Sequence, residues 1–445
     1  MSSALETLRR DFGGDIIEPG AAEYASASRT PLASGSPAHV LRPRSVADVQ
    51  AGVRFAASAG LLLSVRGGGH SFAGFGTNDG GVVIDLSGLA NVEVTDKERH
   101  LVRIGGGATW GQVAAALAPH GLAISSGDTK SVGVGGLTLT GGIGWKVRKH
   151  GLALDHMAAA EVVTANGQVV RASARENPYL FWAIRGGGGN FGVVTAFEFV
   201  AHPTTDVFFG KIAFPAAEAA TVLQGWAGYL RTAPEELTCV AEVANPFAGG
   251  PRAPIGIHIA FDGDDPRLAA RAIDPIRRLG TVTGDDIALE PYADTLADGT
   301  APPPGARVEL RNAFVDRQSV PAVLQILAEV RAAQGPAFIT VRSVGGAVSR
   351  VPGDATAYAH RQAELVVVTT VAGPAPAVAA ARPALEAIWG RLAPHVHGAY
   401  ANFLTAATEA DAAAIYPART RTRLAAVKRL YDPGNLFARN HNIRP

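Results

Sequence analysis

The chain has 445 residues, 47% hydrophobic and 18% charged, a balance that suits a folded globular protein and excludes a disordered one. Its 40 basic and 39 acidic residues leave a formal charge of +1 with no long basic run, which argues against a nucleic-acid-binding surface. The length exceeds one ordinary core and predicts two or three domains.

The opening MSSALETLRRDFGGD reads as a short helix rather than a secretory leader. No run reaches the roughly 18 apolar residues of a membrane span. The single cysteine, Cys239, allows no intrachain disulfide, so a reducing, cytoplasmic setting is expected. Cys239 itself reads as a small buried hydrophobe. HVLRPRS (39–45) is a strand. SVADVQAGVRFAASAG (45–60) has helical spacing, with Ser45 as cap and Gly60 as stop. LLLSVRG (61–67) reads as a buried strand, and GGVVIDLSGL (80–89) as another, opened by the turn TNDGG. LVRIGGGATWGQVAAALAPHG (101–121) is strand, glycine turn and helix. The pattern continues to about residue 203 and closes with helix NPYLFWAIRG (177–186), a glycine loop and strand FGVVTAFEFVA (191–201).

After His202 and Pro203 the character changes. Alanine-rich helices, PAAEAATVLQGWAGYLRT (215–232) and SVPAVLQILAEVRAA (319–333), alternate with strands. The strands are PIGIHIAFDG (254–263), AFITVRSVGGAV (337–348) and ELVVVTTVAG (364–373). This reads as an antiparallel sheet backed by helices. FDGDDP (261–266) is expected to be a turn without calcium-loop spacing, and APPPG (301–305) a surface loop. His395 and His397 in PHVHG would alternate faces on a strand, and no metal site is expected. The tail RTRLAAVKRLYDPGNLFARNHNIRP is a helix, a turn and a polar end.

Of the 52 glycines, 21 lie between residues 61 and 151, about a fifth of the chain. In SVRGGGH (64–70) the triplet Gly67–Gly69 makes either an anion-binding nest of N–H groups or a tight turn with His70 facing solvent. In SSGDTKSVGVGGLTLTGGIGW (125–145) glycines interleave with apolar residues. That suits backbone lying against a flat apolar ligand, or two chain segments packed tightly together. AIRGGGGNFGVV (183–194) holds a formal G-x-G-x-x-G at Gly187, Gly189 and Gly192. Here a helix precedes and a strand follows, the reverse of a dinucleotide fingerprint, so an NAD-dependent dehydrogenase is disfavoured. The phosphate-loop pattern and the G-x-S-x-G of serine hydrolases are absent.

Together these segments resemble the berberine bridge enzyme-like branch of the FAD-linked oxidoreductases, in the vanillyl-alcohol-oxidase superfamily with a PCMH-type FAD-binding domain. RGGGHSFAGFG resembles the pyrophosphate loop, whose histidine is joined to FAD. VGVGGLTLTGGIGWKVRKHGLALDHM and FWAIRGGGGNFGVVTAFEF match further flavin-domain stretches. YANF and RLAAVKRLYDPGNLFARNHNI resemble the segment that returns to the flavin domain. The resemblance covers nearly the whole chain. It implies an α+β, two-domain PCMH-type fold. A FAD-binding domain would span 1–203 (core 36–203), an antiparallel-sheet substrate domain 204–395, and the returning segment 396–445.

The resemblance implies covalent FAD on His70. It implies further cofactor contacts from Arg66, Gly67, Gly68, Gly69 and Ser71, with the glycines and Ser71 at the pyrophosphate. The second stretch would add Thr129, Gly133, Gly135, Gly136, Leu137, Gly141, Gly142 and Gly144. Val193 and Val194 follow, then Asn440 and Asn442 of the tail. Tyr400 and Asn402 fall on the family's Y-x-N motif beside the substrate. Thr129 stands where many members carry a second flavin-linking cysteine, so a single histidyl bond is expected. Leu137 stands where residue size governs oxygen access.

FAD accepts a hydride at N5, and the protein positions the donor. Tyr400 would act as a base whose pKa neighbours lower, or orient the substrate, or simply pack. Arg342, Glu309, Arg311 and His360 are polar residues of the second domain whose facing the sequence leaves open. The expected activity is oxidation of an alcohol, sugar, cyclic amine or secondary metabolite, with O2 as acceptor. The alternatives are a dehydrogenase with another acceptor and a flavoprotein that sequesters a metabolite or drug.

Overall fold

The computed structural model describes residues 2–246, 253–298 and 305–445. Four strands open the chain: β1 (Asp15–Ile17), β2 (His39–Arg42), β3 (Leu63–Arg66) and β4 (Val82–Asp85), in the order β1-β2-β4-β3. β4 runs parallel to both β2 and β3. Parallel neighbours need a crossover, and the helix Val46–Ala59 supplies it between β2 and β3. It begins at Ser45, whose hydroxyl accepts from the Asp48 N–H while the Asp48 carboxylate accepts from the Ser45 N–H. It ends on Gly60. Val49, Val53 and Ala56 on its inner face pack with Leu41, Val82 and Ile84 of the sheet, each large aliphatic chain contributing about 1.5–3 kcal/mol.

Seven strands follow: β5 (Val92–Asp96), β6 (Leu101–Gly105), β7 (Leu122–Ala123), β8 (Met157–Val163), β9 (Val169–Ser173), β10 (Val193–Val200) and β11 (His202–Pro203). They form an antiparallel sheet β5-β6-β10-β8-β9 and a small pair β7-β11. β10 sits centrally. The glycine loop before it receives the chain from the helix Pro178–Ile184, so helix-loop-strand is the order found.

The remaining strands are β12 (Val207–Phe214), β13 (Leu237–Ala244), β14 (Ile255–Phe261), β15 (Gly284–Asp285), β16 (Ala288–Glu290), β17 (Arg307–Val315), β18 (Phe338–Ser343) and β19 (Leu365–Gly373). They make one antiparallel sheet, β15-β12-β14-β13-β18-β19-β17, with β16 beside β12. Four helices, Ala219–Leu230, Pro266–Arg277, Val320–Ala332 and Ala375–Leu392, bury one face with Ile257, Ile259, Val341 and Val367. The other face presents Leu310, Phe314, Val366 and Val368 to Ile143, Leu152 and Tyr400. Cys239 lies fully buried on β13, and burial pushes its thiol up to about 12. Among the described residues no helix is long and apolar enough to cross a membrane.

Some expectations need correction. His395 closes a helical turn, Ala393–His395, and His397 makes a single bridge to Phe314, so the two share no strand. In FDGDDP the turn is present, but Asp265 caps the helix Pro266–Arg277 and Asp262 is buried. Ala301–Pro304 of APPPG lie outside the described residues.

Asp262 anchors the joint between the large sheet and the chain before it. It pairs with Lys146, accepts from His150 Nε2 at 3.2 Å and lies 3.3 Å from Lys149 Nζ. His150 stacks on His202 at 4.2 Å, and His202 Nε2 lies 2.7 Å from His156 Nδ1. Burial first, then the neighbouring histidines, push His156 down to about 3, and burial pushes His202 down to about 4. A histidine whose folded pKa lies below the unfolded value near 6.5 binds its proton more readily when unfolded. Its stability is therefore full above about pH 6.5 and is lost as pH falls toward the folded pKa. Unfolding free energy should fall between pH 7 and pH 5, with His156 accounting for about 2 kcal/mol. Chemical unfolding of His156→Gln at the two pH values should show that much less pH dependence than the wild type; equal slopes would refute the assignment.

Candidate active site

A cavity of about 410 Å³ opens where three glycine-rich segments and the C-terminal return converge. Gly67–Ser71 leaves the end of β3. Gly133–Leu137 forms the start of the short helix Val134–Thr140, and Gly188–Asn190 precedes β10. Two of these segments touch backbone to backbone. A Cβ on Gly68 would fall 2.3 Å from the Gly133 nitrogen, and one on Gly133 would fall 2.2 Å from the Gly68 nitrogen. No side chain fits at either position. By contrast, a Cβ on Gly136 or Gly189 meets nothing within 4 Å, because both face the open cavity.

Polar groups on the wall lack partners. Asn440 Oδ1 and His441 Nδ1 are buried and unpaired among the described residues. His441 Nε2 lies 3.1 Å from the Ala401 carbonyl and donates to it, so Nδ1 is left as an acceptor. Buried polar atoms are ordinarily satisfied. This wall therefore suits a ligand that is apolar over the glycines and polar at its edge. Arg66 is already engaged, through Asp85 at 2.9 Å and the Arg29 carbonyl at 3.0 Å.

His70 stands at the cavity with Nε2 2.8 Å from Ser131 Oγ, and Ser131 Oγ is 2.5 Å from Asp298 Oδ1. Burial lowers the imidazole pKa, although Asp298 opposes the shift. His70 is therefore a neutral ring near pH 7.

Tyr400 is 2% exposed and reaches the cavity from the far side. Its Oη accepts from the Gly142 N–H at 2.9 Å and from Asn402 Nδ2 at 2.8 Å. Asn402 Oδ1 in turn accepts from Thr140 Oγ1 at 2.6 Å. Asn312 of β17 fixes the backbone here, accepting from the Tyr400 N–H at 2.6 Å and donating to the Tyr400 and Phe403 carbonyls. The lowered phenol pKa expected from neighbours is not found. Desolvation outweighs the donors and raises it above its ordinary value.

Of the residues singled out in the sequence, Arg66, Gly67, Gly68, Gly69, His70, Ser71, Thr129, Gly133, Gly135, Gly136, Leu137, Val194, Tyr400, Asn402 and Asn440 line this one cavity. Gly141, Gly142, Gly144, Val193 and Asn442 do not. Gly141 and Gly142 underlie Tyr400, and Gly144 packs on the Ser126 and Gly127 carbonyls. Val193 points into the core of the first sheet. Asn442 Oδ1 is buried and has no hydrogen-bond partner among the described residues. Arg342 lines the cavity, bound to Asp128 at 2.6 Å and lying 5.2 Å from the Phe403 ring. Glu309 and Arg311 instead pair with Arg382 and Glu386 in a separate groove, and His360 stacks on Phe314.

Sequence reasoning missed Asn312, Ser131, Asp298 and the buried Lys428. Lys428 Nζ donates to Asp432 Oδ2 and the Asn190 carbonyl, each at 2.7 Å, and to the Phe437 carbonyl at 3.0 Å. It locks the tail against the third glycine segment. Lys428 in the last helical turn and Asp432, the residue that ends that helix four positions on, were the available signal.

Residues 37–173 match the FAD binding domain family. The chain is 34% identical over 428 residues to (R)-6-hydroxynicotine oxidase of Paenarthrobacter nicotinovorans, covering 92% of this chain and 91% of that protein. The structure of xylooligosaccharide oxidase from Myceliophthora thermophila, solved with xylobiose, superposes with a TM-score of 0.87, 26% identity and 99% coverage of both chains. Glucooligosaccharide oxidase from Acremonium strictum, whose FAD is 6-S-cysteinyl and 8α-N1-histidyl, superposes at 0.85 with 24% identity, covering 100% of this chain and 99% of that one. The cavity fits FAD: bare glycine backbone faces a flat ring, and unpaired polar atoms face its edge. Gly68→Ala should strike the Gly133 backbone and lower bound FAD at least tenfold, read by flavin absorbance of the purified protein; a full complement of FAD would show that the loops separate freely. The chain thus belongs to the berberine bridge enzyme-like FAD-linked oxidoreductases of the vanillyl-alcohol-oxidase/PCMH-type superfamily.

Proposed function

We propose that this FAD-dependent enzyme holds its cofactor through a single covalent bond to His70. It oxidises a small organic molecule, an alcohol, sugar, cyclic amine or secondary metabolite, with O2 as acceptor. The observation that carries the reading is the neutral His70 ring at the cavity wall, beside the glycine loop Gly67–Gly69. An uncharged imidazole retains a nucleophilic lone pair. The histidyl FAD of the Acremonium strictum enzyme supports it. Thr129 lines the same cavity and Cys239 is buried on β13, which supports one bond rather than two. The oxidases of 6-hydroxynicotine and xylooligosaccharides support the substrate classes.

In this reading residues 1–203 bind FAD, 204–395 shape the substrate pocket and 396–445 return to the flavin. The N–H groups of Gly67–Ser71 would hold the diphosphate, and Gly133–Leu137, Gly188–Asn190, Asn440 and His441 the ring system. When bound, FAD supplies the hydride acceptor. Tyr400 handles the substrate's hydroxyl or amine. Two donors fill the lone pairs of its Oη, so its own O–H is directed to the cavity, and burial keeps that proton on near pH 7. A neutral phenol there orients the substrate by donating to it. Leu137 narrows the cavity beside Gly136 and restrains the access of dioxygen. The buried, unpaired Cys239 accords with the reducing, cytoplasmic setting expected for the chain.

Denatured and precipitated protein should keep its yellow colour, and His70→Ala should release all of its flavin; covalent flavin in His70→Ala would move the anchor elsewhere. An anaerobic panel of oligosaccharides, cyclic amines and alcohols identifies the substrate by bleaching of the flavin, and tight binding without bleaching would instead establish a sequestering protein. With a substrate in hand, Tyr400→Phe should slow flavin reduction at saturation by a factor of about 10–100, the loss of one positioned hydrogen bond. The wild-type rate should stay flat from pH 6 to pH 9, whereas a limb near pH 8 would make Tyr400 a base.

A further inference from the structure

The Ser131 hydroxyl lies between His70 and Asp298, and the chemistry of the three groups fixes where each proton sits. An ionised carboxylate only accepts hydrogen bonds. Asp298 Oδ1 receives the Ser131 N–H at 3.0 Å and lies 2.5 Å from Ser131 Oγ. The one hydroxyl proton of Ser131 is therefore committed to Asp298. Oγ turns only lone pairs toward His70 Nε2, 2.8 Å away. Nε2 must then carry the hydrogen, and a neutral ring has one to place.

Resting on the reading of His70 as the flavin anchor, we propose that Ser131 and Asp298 form a positioning relay. The relay holds His70 in its Nε2–H tautomer, so that Nδ1 presents the lone pair that attaches to the cofactor. Nδ1 has no hydrogen-bond partner among the described residues.

The placement is built from both halves of the chain. Asp298 follows the helical turn Tyr292–Thr295 of the second half. Its neighbour Ala297 donates from its N–H to the Asp128 carbonyl at 3.2 Å. That bond and the Ser131–Asp298 bonds pin the segment to the loop carrying Ser131. The Gly68–Gly133 contact then brings His70 alongside. Burial favours the neutral ring, and the Ser131 hydrogen bonds hold Asp298 below the usual carboxylate range.

In the attachment, one C–H bond of the flavin's 8-methyl group and the imidazole N–H bond break, and one N–C bond forms. The two electrons and two protons released pass to dioxygen as hydrogen peroxide. The relay takes up the Nε2 proton as Nδ1 is alkylated, through the hydrogen bond that already holds it, and passes it to solvent, from which the peroxide draws its second proton.

The test reads attachment, not turnover. Apoprotein is mixed with FAD in air, bound flavin is measured by absorbance, and covalent flavin by fluorescence after denaturing electrophoresis. Ser131→Ala and Asp298→Ala should bind FAD yet attach it at least tenfold more slowly. Ser131→Thr, which keeps the hydroxyl, should attach at close to the wild-type rate. NMR of the flavin peptide should place the wild-type bond at Nδ1. Wild-type rates in both alanine variants, or a wild-type bond at Nε2, would overturn the relay while leaving His70 as the anchor. Release of all flavin from the denatured wild type would overturn the anchor itself, and the relay with it.

Discussion

Two backbone segments can meet at van der Waals distance only where neither carries a side chain, and the cavity depends on one such meeting. Gly68 and Gly133 are each within hypothetical Cβ range of the other's nitrogen. Their contact joins the loop after β3 of the parallel strands to the start of a short helix, two segments far apart in the chain. Once it is made, much of the site follows. His70, two residues beyond Gly68, comes within reach of Ser131, two residues before Gly133. Gly136, one turn into the helix, is left with open space above it. A methyl group at either contact would separate the loops and disperse these groups together.

The opposite wall is assembled from distant chain and held by hydrogen bonds rather than by close backbone. Tyr400 sits on a short helical return, not on the sheet it faces. Asn312 satisfies the backbone on both sides of it, and the Gly142 N–H beneath the ring donates to its hydroxyl. The tail is secured independently. Lys428, fully buried, has each of its three donors taken by an acceptor. A buried ion pair is a weak source of net stability but discriminates strongly against other arrangements, since removing one partner strands the other charge. Lys428 thus specifies where the tail lies, and through it where Asn440 and His441 meet the cavity.

What was legible in the sequence was local or carried by motif. Ser45 and Gly60 bounded their helix because capping is decided within four residues. The glycine clusters were legible because bare backbone has few other uses at that density. The expected reversal of helix and strand around Gly187 was present. What escaped was of two kinds. β12 was overlooked because Gly210 breaks its apolar face, whereas β13 and β17 do alternate, with Glu242 and the Arg307, Glu309 and Arg311 charges on the face opposite Cys239 and Leu310. The helices Pro266–Arg277 and Ala375–Leu392 carry Pro275 and Pro383 in their interiors, which local rules read as breaks. The second kind is intrinsically non-local. Asn312 and Asp298 acquire meaning only from partners 88 and 167 residues away, and no spacing rule reaches that far.

The same distinction bears on the electrostatics of the cavity. Arg66 and Arg342 both line it, yet each is tied to a carboxylate, Asp85 and Asp128. Arg439 lines the cavity too and donates to the Thr77 and Gly74 carbonyls at 3.4 and 3.5 Å, so the wall keeps a positive charge that no ion pair among the described residues balances. The two pairs still differ in what they join. Arg66 and Asp85 end adjacent parallel strands and stiffen one sheet. Arg342 reaches from β18 to the loop between Gly127 and Thr129, so it links the large sheet to the glycine-rich segment. With Asn312, which binds the Tyr400 backbone of the C-terminal return, and Asp298, which binds Ser131, it makes three ties between the second half of the chain and segments beside the cavity. Relative movement of the two halves would alter all three at once, so the cavity's shape and the setting of His70 are coupled through a single interface.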